Sequence, residues 1–361
     1  MTGVDVSVRR GISLRARTFR TSYREEIRLF PNFWTSIWLG LFLVFLFVLP
    51  FITGSYAMVF VNMACITAVG AIGLNLLTGY AGQISMGHAG FVALGAYTTA
   101  ILASRFNLPV YLTLPAAGVV ALLGGLIVGW PCMRLKGLYL AMATMCSGFI
   151  IQYILIQWDS LTKGVIGIAV NPPRLFGYQI DTMEKIYFFI LITTILVTLL
   201  ASNIVRTKLG RAFIAIRDRD IAAEIIGVNL TKYKMLSFLV SSFYAGVAGC
   251  LYSYYYSYVH VEAFSFEVSL RYLCMIICGG MGSISGSIMG AVFITMVPDG
   301  IRLMVDELGK VFPIIIEKYN DEWSVAAFGL LIILFLIIEP GGLYRIWKRI
   351  KTCFVNWPFT Y

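Results

Sequence analysis

Charge is scarce in this chain. Only 13% of its 361 residues are Asp, Glu, Lys or Arg, and 59% are hydrophobic. A soluble globular protein carries about a quarter charged residues, so an ordinary soluble enzyme or binding module is excluded. Histidine is scarcer still, with His88 and His260 the two in the chain. Isolated, and without an HExxH motif, they are poor material for a metal centre or a nucleophile–base site. The seven cysteines (65, 132, 146, 250, 274, 278 and 353) form no CxxC pair and no Cys/His cluster. Six lie in apolar blocks, where free cysteine packs as a small hydrophobe. No GxxxxGK[ST] phosphate loop occurs, and no soluble stretch is long enough for a nucleotide-binding fold. The chain is therefore expected to hold no metal and no cofactor of its own.

What is present is apolar sequence in blocks of about 16–25 residues, the length at which a helix crosses about 30 Å of hydrocarbon. Segments of about ten alternating residues, the mark of a membrane barrel, are not found. Ten candidate spans can be drawn, roughly 33–52, 56–78, 84–104, 109–133, 137–158, 186–205, 235–258, 266–282, 284–304 and 323–339. The first follows about 32 polar residues without a small-residue cleavage site, so it reads as a retained helix and not a signal peptide.

Basic residues orient these spans. Seven arginines precede the first span, Arg134 and Lys136 sit in the 134–136 turn, seven cations fall in 206–234, and Arg345, Lys348, Arg349 and Lys351 follow the last span. With ten spans, these 20 of the 28 basic residues share one face, against 7 of the 18 acids. The expected fold class is an all-α polytopic membrane protein of about ten transmembrane helices with both termini cytoplasmic. It divides into an Arg-rich tail at 1–32, a transmembrane domain at 33–339 and a basic cytoplasmic tail at 340–361. The net charge of +10 is then a topology signal and not a nucleic-acid signal. The first tail is also suited to lie on anionic lipid. On the outer side fall a loop at 159–185, centred on Asn171-Pro172-Pro173, and a polar stretch at 305–322. Tyrosines 252, 254, 255, 256 and 258 fall at the outer end of the seventh span, where an interfacial aromatic belt accounts for them.

The stretch GYAGQISMGHAG at 79–90 places Gly79, Gly82, Gly87 and Gly90 among apolar sequence, with Gln83, Ser85 and His88. Such glycines let helices approach closely and turn sharply. Gln83 and Ser85 are placed to satisfy backbone groups that a break exposes. GGMGSIS at 279–285 repeats GYAGQIS as G-x-x-G-x-I-S, adding Gly279, Gly280 and Gly282 and hinting at paired Gly-rich hairpins on one membrane face. Intramembrane polar groups face protein or water, which makes Asn75, Gln83, Ser85, His88 and Tyr97 candidates for lining a path. For His88 the favoured alternative is a neutral imidazole bonded to a neighbouring backbone. Glu267 and Arg271, four apart, are expected to form an ion pair.

Residues 207–234 make a 28-residue connection where a few would join two helices. Asp220 is expected to cap a short helix and Gly227 to end it, with Ile221, Ala222, Ile225 and Ile226 forming an apolar stripe. Phe213, Ile214 and Ile216 sit among Arg211, Arg217 and Arg219. Docking on another protein is the favoured reading, and folding back on the chain's own helix ends is the alternative.

The stretch beginning GRAFIAIRDRDIAAEIIGVNLTKYK at 210 resembles the coupling-loop region of LivM-type permeases of branched-chain amino acid ABC importers. GLNLLTGYAGQISMGHAGFVALGAYTTAIL at 73–102 resembles that family's most recognisable segment. WDSLTKGVIGI at 158–168, GGMGSISGSIMGA at 279–291 and EPGGLYRI at 339–346 follow in the expected order. The resemblance covers about residues 55–345. Lys163 departs from it where a glycine is usual, Glu339 where an arginine is usual, and Arg271 where the helix is usually apolar.

The resemblance implies a permease subunit in a bacterial cytoplasmic (inner) membrane, paired with a LivH-type second permease. Two cytoplasmic ATPase subunits would bind ATP and Mg, and a solute-binding protein would deliver a branched-chain or related amino acid. It also implies that Arg211, Arg217, Asp220, Ile221, Glu224, Ile225 and Gly227 couple the chain to the ATPases. An ion-coupled secondary transporter is the main alternative, since Gly-interrupted helices also mark that class, although few acids lie inside the spans. An intramembrane enzyme and a structural subunit are further alternatives.

Overall fold

A computed structural model describes residues 33–356 apart from 53, 176, 312–328, 331, 336 and 340. The tail expected at 1–32 and part of the tenth span lie outside the described residues. The helices are α1 (Phe33–Ile52), α2 (Ser55–Asn75, continuing into a π-helical turn at Leu76–Tyr80), α3 (His88–Arg105), α4 (Val110–Cys132) and α5 (Leu138–Gln157). They continue with the short α6 (Asp159–Thr162), then α7 (Met183–Arg206), α8 (Lys208–Asp218), α9 (Asp220–Ile225) and α10 (Leu230–Tyr256). The last are α11 (Phe266–Gly279), α12 (Ile284–Val311) and α13 (Gly342–Asn356).

Among the described residues, five helical segments are long and apolar enough to cross a membrane: Tyr56–Tyr80, Val110–Cys132, Leu138–Gln157, Met183–Arg206 and Leu230–Tyr256. Their outward faces carry large exposed apolar side chains, among them Ile127, Trp130, Tyr139, Ile150 and Leu200. In water such a surface would drive aggregation; in hydrocarbon it is the solvated face. The chain is an all-α polytopic membrane protein.

The bundle is centred on α10, which packs against α2, α3 and α4. Lipid tails are as apolar as leucine, so helices there adhere through close van der Waals contact. Small residues make that contact possible. Gly246 of α10 lies against the Ala117 carbonyl of α4, Gly95 of α3 lies against Gly246, and Gly249 lies against the Val92 carbonyl. A Cβ at any of them would overlap backbone. Phe91 and Phe238 fill the adjoining space edge to face, 5.6 Å between ring centres.

Several boundaries differ from the expected spans. The third helix begins at His88 and not near 84, because 82–87 form a non-helical connection. The seventh begins at Leu230, where Asn229 Oδ1 accepts the Lys232 N–H at 3.0 Å and caps it. α12 runs on to Val311, so the first part of the polar stretch at 305–322 is helical, and the remainder lies outside the described residues. The tyrosines of α10 are not a simple lipid-facing belt. Tyr254 is buried and shares a 2.6 Å hydrogen bond with Thr113, and Tyr252 packs on Tyr256 and Phe264. The cause is the central position of α10, whose end is ringed by other helices.

At that end of the bundle the 159–185 loop is folded. Ile168–Ala169 pairs antiparallel with Tyr258–Val259, and Arg174–Leu175 pairs with Tyr178–Gln179. Asn171 Nδ2 donates to Asn107 Oδ1 at 3.0 Å. Lys163 has a left-handed backbone at φ +58°, with its N–H bonded to the Asp159 carbonyl at 3.0 Å. Glycine would adopt this backbone at no steric cost.

Candidate functional site

At the opposite end, the basic connections converge on the two glycine turns. Gly82 and Gly282, which occupy the same place in G-x-x-G-x-I-S, are both left-handed, at φ +69° and +77°. Glycine adopts that conformation at no steric cost. The turns touch: a Cβ at Gly79 would overlap the Gly282 nitrogen and the Asn75 side chain.

Asn75, at the end of α2, ties them together. Its Nδ2 donates to the Ser283 carbonyl at 2.8 Å and to Ser287 Oγ at 2.7 Å. Its Oδ1 accepts the Gly282 N–H at 2.9 Å. The side chain is buried, and these bonds use both amide hydrogens and the carbonyl oxygen.

The rest of the 79–90 break is satisfied largely by side chains from elsewhere. Thr78 Oγ1 donates to the Gln83 carbonyl at 3.0 Å, Thr144 Oγ1 accepts the Met86 N–H at 3.0 Å, and Ser269 Oγ accepts the Ala89 N–H at 3.0 Å. The Gln83 amide is not used as expected for local backbone. It donates to Ser237 Oγ at 3.1 Å and to the Lys234 carbonyl at 3.3 Å, fastening the turn to the start of α10. Ser85 is buried. Gly87 lies against the Thr144 carbonyl and Gly90 against Gly148, so α3 and α5 meet through bare backbone.

His88 is buried, its Nε2 3.0 Å from the Gly70 carbonyl. A carbonyl only accepts, so Nε2 carries the proton. Its ring stands edge-on to Tyr272 at 5.2 Å. Tyr97 is buried, and its hydroxyl has no hydrogen-bond partner among the described residues. Gly279 lies against the Gly286 carbonyl at the crossing of α11 and α12, and Gly280 against Tyr344 of α13. Asn75, Ser85, His88 and Tyr97 are thus packed between helices. Gln83 and Gly82 line a cleft of about 350 Å³ with Leu135, Lys136, Arg217 and Lys234.

The 207–234 connection divides into two parts. α8 folds back on the bundle: Phe213 and Ile216 are buried, and Thr207 Oγ1 accepts the Leu209 N–H at its start. Arg211 is on its exposed side. Arg217, at its last turn, reaches into the glycine turns. Its Nη1 donates to the Gly79 carbonyl at 2.9 Å, while Nε and Nη2 donate to Asp218 Oδ1 at 3.1 and 3.0 Å. A Cβ at Gly282 would lie 2.7 Å from Arg217 Nη1, and one at Gly82 3.2 Å from its Cγ.

α9 presents its apolar residues outward. Ile221, Ile225 and Ile226 are 69%, 80% and 75% exposed, Glu224 is exposed beside them, and Ala223 is buried underneath. Gly227 ends this helix at φ +90°.

Asp220 differs from the expected role. Arg219 holds the capping position and Asp220 is the first helical residue. Its Oδ2 pairs instead with Lys136 Nζ at 2.8 Å and Lys234 Nζ at 3.9 Å. Lys136 holds the Asp220 carboxyl below the usual carboxylate range, and the Lys136 ammonium is raised in return. Asp220 therefore fixes α9 to the α4–α5 turn and to the start of α10.

Of the departures, Arg271 pairs with Glu267 at 2.7 Å on the exposed face of α11. Glu339 lies near Arg349 and Arg345, at 3.5 and 3.9 Å. Thr144, Ser269 and Lys136 are participants whose signal was faint: two hydroxyls inside apolar spans and one cation in a three-residue turn.

Residues 56–336 match the family described as branched-chain amino acid transport system, permease component. The high-affinity branched-chain amino acid transport system permease protein LivM of Escherichia coli (strain K12) is 31% identical over 331 residues, covering 84% of this chain and 74% of that protein. LivM of Salmonella typhimurium (strain LT2) is 31% identical over 318 residues, covering 81% and 71%. The permease protein LivH of E. coli K12 is 25% identical over 311 residues, covering 79% and 93%. No solved structure matches the chain. By the extent of these matches, the chain belongs to the family of branched-chain amino acid transport system permease components.

Proposed function

We propose that this chain is one of two permease subunits of an ATP-driven importer that moves branched-chain or related amino acids into the cytoplasm. Similarity to both LivM and LivH supports a paired arrangement with a LivH-type subunit. Two cytoplasmic ATPases would bind ATP and Mg, and a solute-binding protein would deliver the amino acid from outside. The end bearing Lys136, Arg217, Lys234 and α13 is the cytoplasmic one, because cytoplasmic connections carry the excess of Lys and Arg. About ten spans with both termini inside, in a bacterial cytoplasmic membrane, complete the topology.

In this reading α9 docks on an ATPase through Ile221, Ile225 and Glu224, and Arg211 adds charge on the α8 side. One observation carries the mechanism: the helix next to the docking element sends Arg217 into the contact between the two glycine turns. A displacement of α8 and α9 by ATPase closure would be delivered to the ends of α2, α11 and α12. Coupling requires contacts that differ between two states, and a single guanidinium holding a carbonyl between two bare turns is suited to that. Asn75 and the glycine crossings keep the receiving elements rigid. Gln83, Ser85, His88 and Tyr97 serve the packing beside the path, and selectivity rests mainly with the binding protein.

The test is uptake in proteoliposomes containing both permeases, the ATPases and the binding protein. Leucine should accumulate only with internal ATP and with the binding protein outside. Accumulation driven by an ion gradient without ATPases would overturn the reading.

A further inference from the structure

The basic segment after residue 339 is more than a charged tail. α13, GLYRIWKRIKTCFVN, repeats apolar residues at Leu343, Ile346, Trp347 and Ile350, the i, i+3, i+4, i+7 spacing of one helix face. Arg345, Lys348, Arg349 and Lys351 lie on the other faces together with Tyr344 and Thr352, and no acid occurs from 342 to 356. Its start is fixed to the bundle: a Cβ at Gly342 would lie 2.7 Å from the Gly280 nitrogen and 2.8 Å from the Cys278 carbonyl. Leu343 and Ile346 are partly covered, whereas Trp347 and Ile350 are 55% and 45% exposed.

Glu339 sets the rotation of this helix. Its carboxylate faces Arg345 and Arg349, which lie one turn apart, on the side away from Trp347 and Ile350. The apolar stripe therefore starts against the bundle, beside the end of α11 and the start of α12, and continues as Trp347 and Ile350 without a partner among the described residues.

We infer that α13 is an in-plane anchor that lays Trp347 and Ile350 into the interfacial layer of the cytoplasmic leaflet. Its cations meet anionic lipid headgroups there. The inference rests on the orientation given under the proposed function. A strongly amphipathic helix with Trp on the apolar face and Lys/Arg on the other is suited to that layer, and cations near an anionic leaflet are attracted to it. Charge complementarity favours lipid over an ATPase as the occupant: the docking helix α9 carries Glu224 and isoleucines, while α13 carries four cations.

The test places a nitroxide at Trp347→Cys, Ile350→Cys or Lys348→Cys in a cysteine-free full-length chain with its partner permease. The assembly is held in nanodiscs of phosphatidylcholine, with or without phosphatidylglycerol. Collision with oxygen should exceed collision with a nickel chelate at 347 and 350, with the reverse at 348. Adding phosphatidylglycerol should deepen the first two labels, and Lys348→Glu with Lys351→Glu should abolish that shift at labels 347 and 350. Equal nickel access at all three positions in both lipids would overturn the inference. So would protection of 347 and 350 that arises only when the ATPases are added. Loss of lipid contact in a complex that still imports with ATP would reject the anchor and leave the transport reading intact.

Discussion

Arg217 Nη1 donates to the Gly79 carbonyl at 2.9 Å, joining residues 138 apart in sequence. The same guanidinium is held by Asp218 through Nε and Nη2, so it is a fork with one tine in the membrane turn. Lysine offers a point charge on a flexible stem and lacks the planar fork that spans the two contacts. Arg217→Lys should retain assembly and lower ATP-driven uptake by about ten-fold, within the usual range of a coupling free energy. Uptake per assembled complex in proteoliposomes checks this.

Gly82 and Gly282 should not tolerate alanine equally. Both are left-handed, which costs a side-chain-bearing residue about 1 kcal/mol. At Gly82 the new methyl makes tight contacts with Arg217 Cγ at 3.2 Å and Cα at 3.3 Å, whereas at Gly282 it overlaps the guanidinium nitrogen at 2.7 Å, the atom that holds the Gly79 carbonyl, and lies 3.2 Å from that carbonyl oxygen. Gly282→Ala should therefore impair uptake more than Gly82→Ala. Gly227, with nothing within 4 Å of its Cβ, should tolerate alanine better than proline, whose fixed φ cannot adopt +90°.

Asn75→Leu should destabilise the fold. It removes the acceptor of the Gly282 N–H, at about 1–3 kcal/mol for a donor left unsatisfied away from water, while the Ser283 carbonyl keeps the Ser287 N–H and hydroxyl. Thermal unfolding of the purified chain in detergent measures it. Asn75→Asp should also destabilise, because a carboxylate accepts and cannot donate to Ser283.

The Asp220–Lys136 pair has a definite pH window. Asp220 is shifted down, so its contribution is present above the ordinary carboxylate range and is lost as pH falls through its lowered folded value. Lys136 is shifted up, so its contribution is present below the ordinary lysine range and is lost as pH rises through its raised value. Between about pH 5.5 and 8.5 both stay charged. Uptake by Asp220→Asn should accordingly be lower than wild type by a constant factor across that window.

Lys163→Gly should leave solute selectivity unchanged. The residue is exposed and its singular feature is the backbone at φ +58°, so glycine relieves strain without touching a recognition contact. Competition of uptake by a panel of amino acids is the measurement.

Much of the fold was legible because hydrocarbon thickness dictates helix length, and cations mark the ends. Gly82 and Gly282 were legible as a pair because one backbone conformation demands glycine at both places. The start of α3 was not, since the break at 82–87 is flanked by apolar residues on both sides. Arg217 and Asp220 could be placed in the 207–234 connection, but their partners Gly79 and Lys136 lie 138 and 84 residues earlier. No local pattern encodes such pairings. The tyrosines of α10 were misleading because composition reports an aromatic group near a membrane surface without reporting which helices surround it.

The most direct test of the central claim is the ratio of ATP hydrolysed to amino acid imported by the reconstituted complex carrying Arg217→Ala. With the link to Gly79 gone and the α9 surface intact, hydrolysis should remain stimulated by loaded binding protein while import falls, raising the ratio about ten-fold. A wild-type ratio in a fully assembled Arg217→Ala complex would contradict the account.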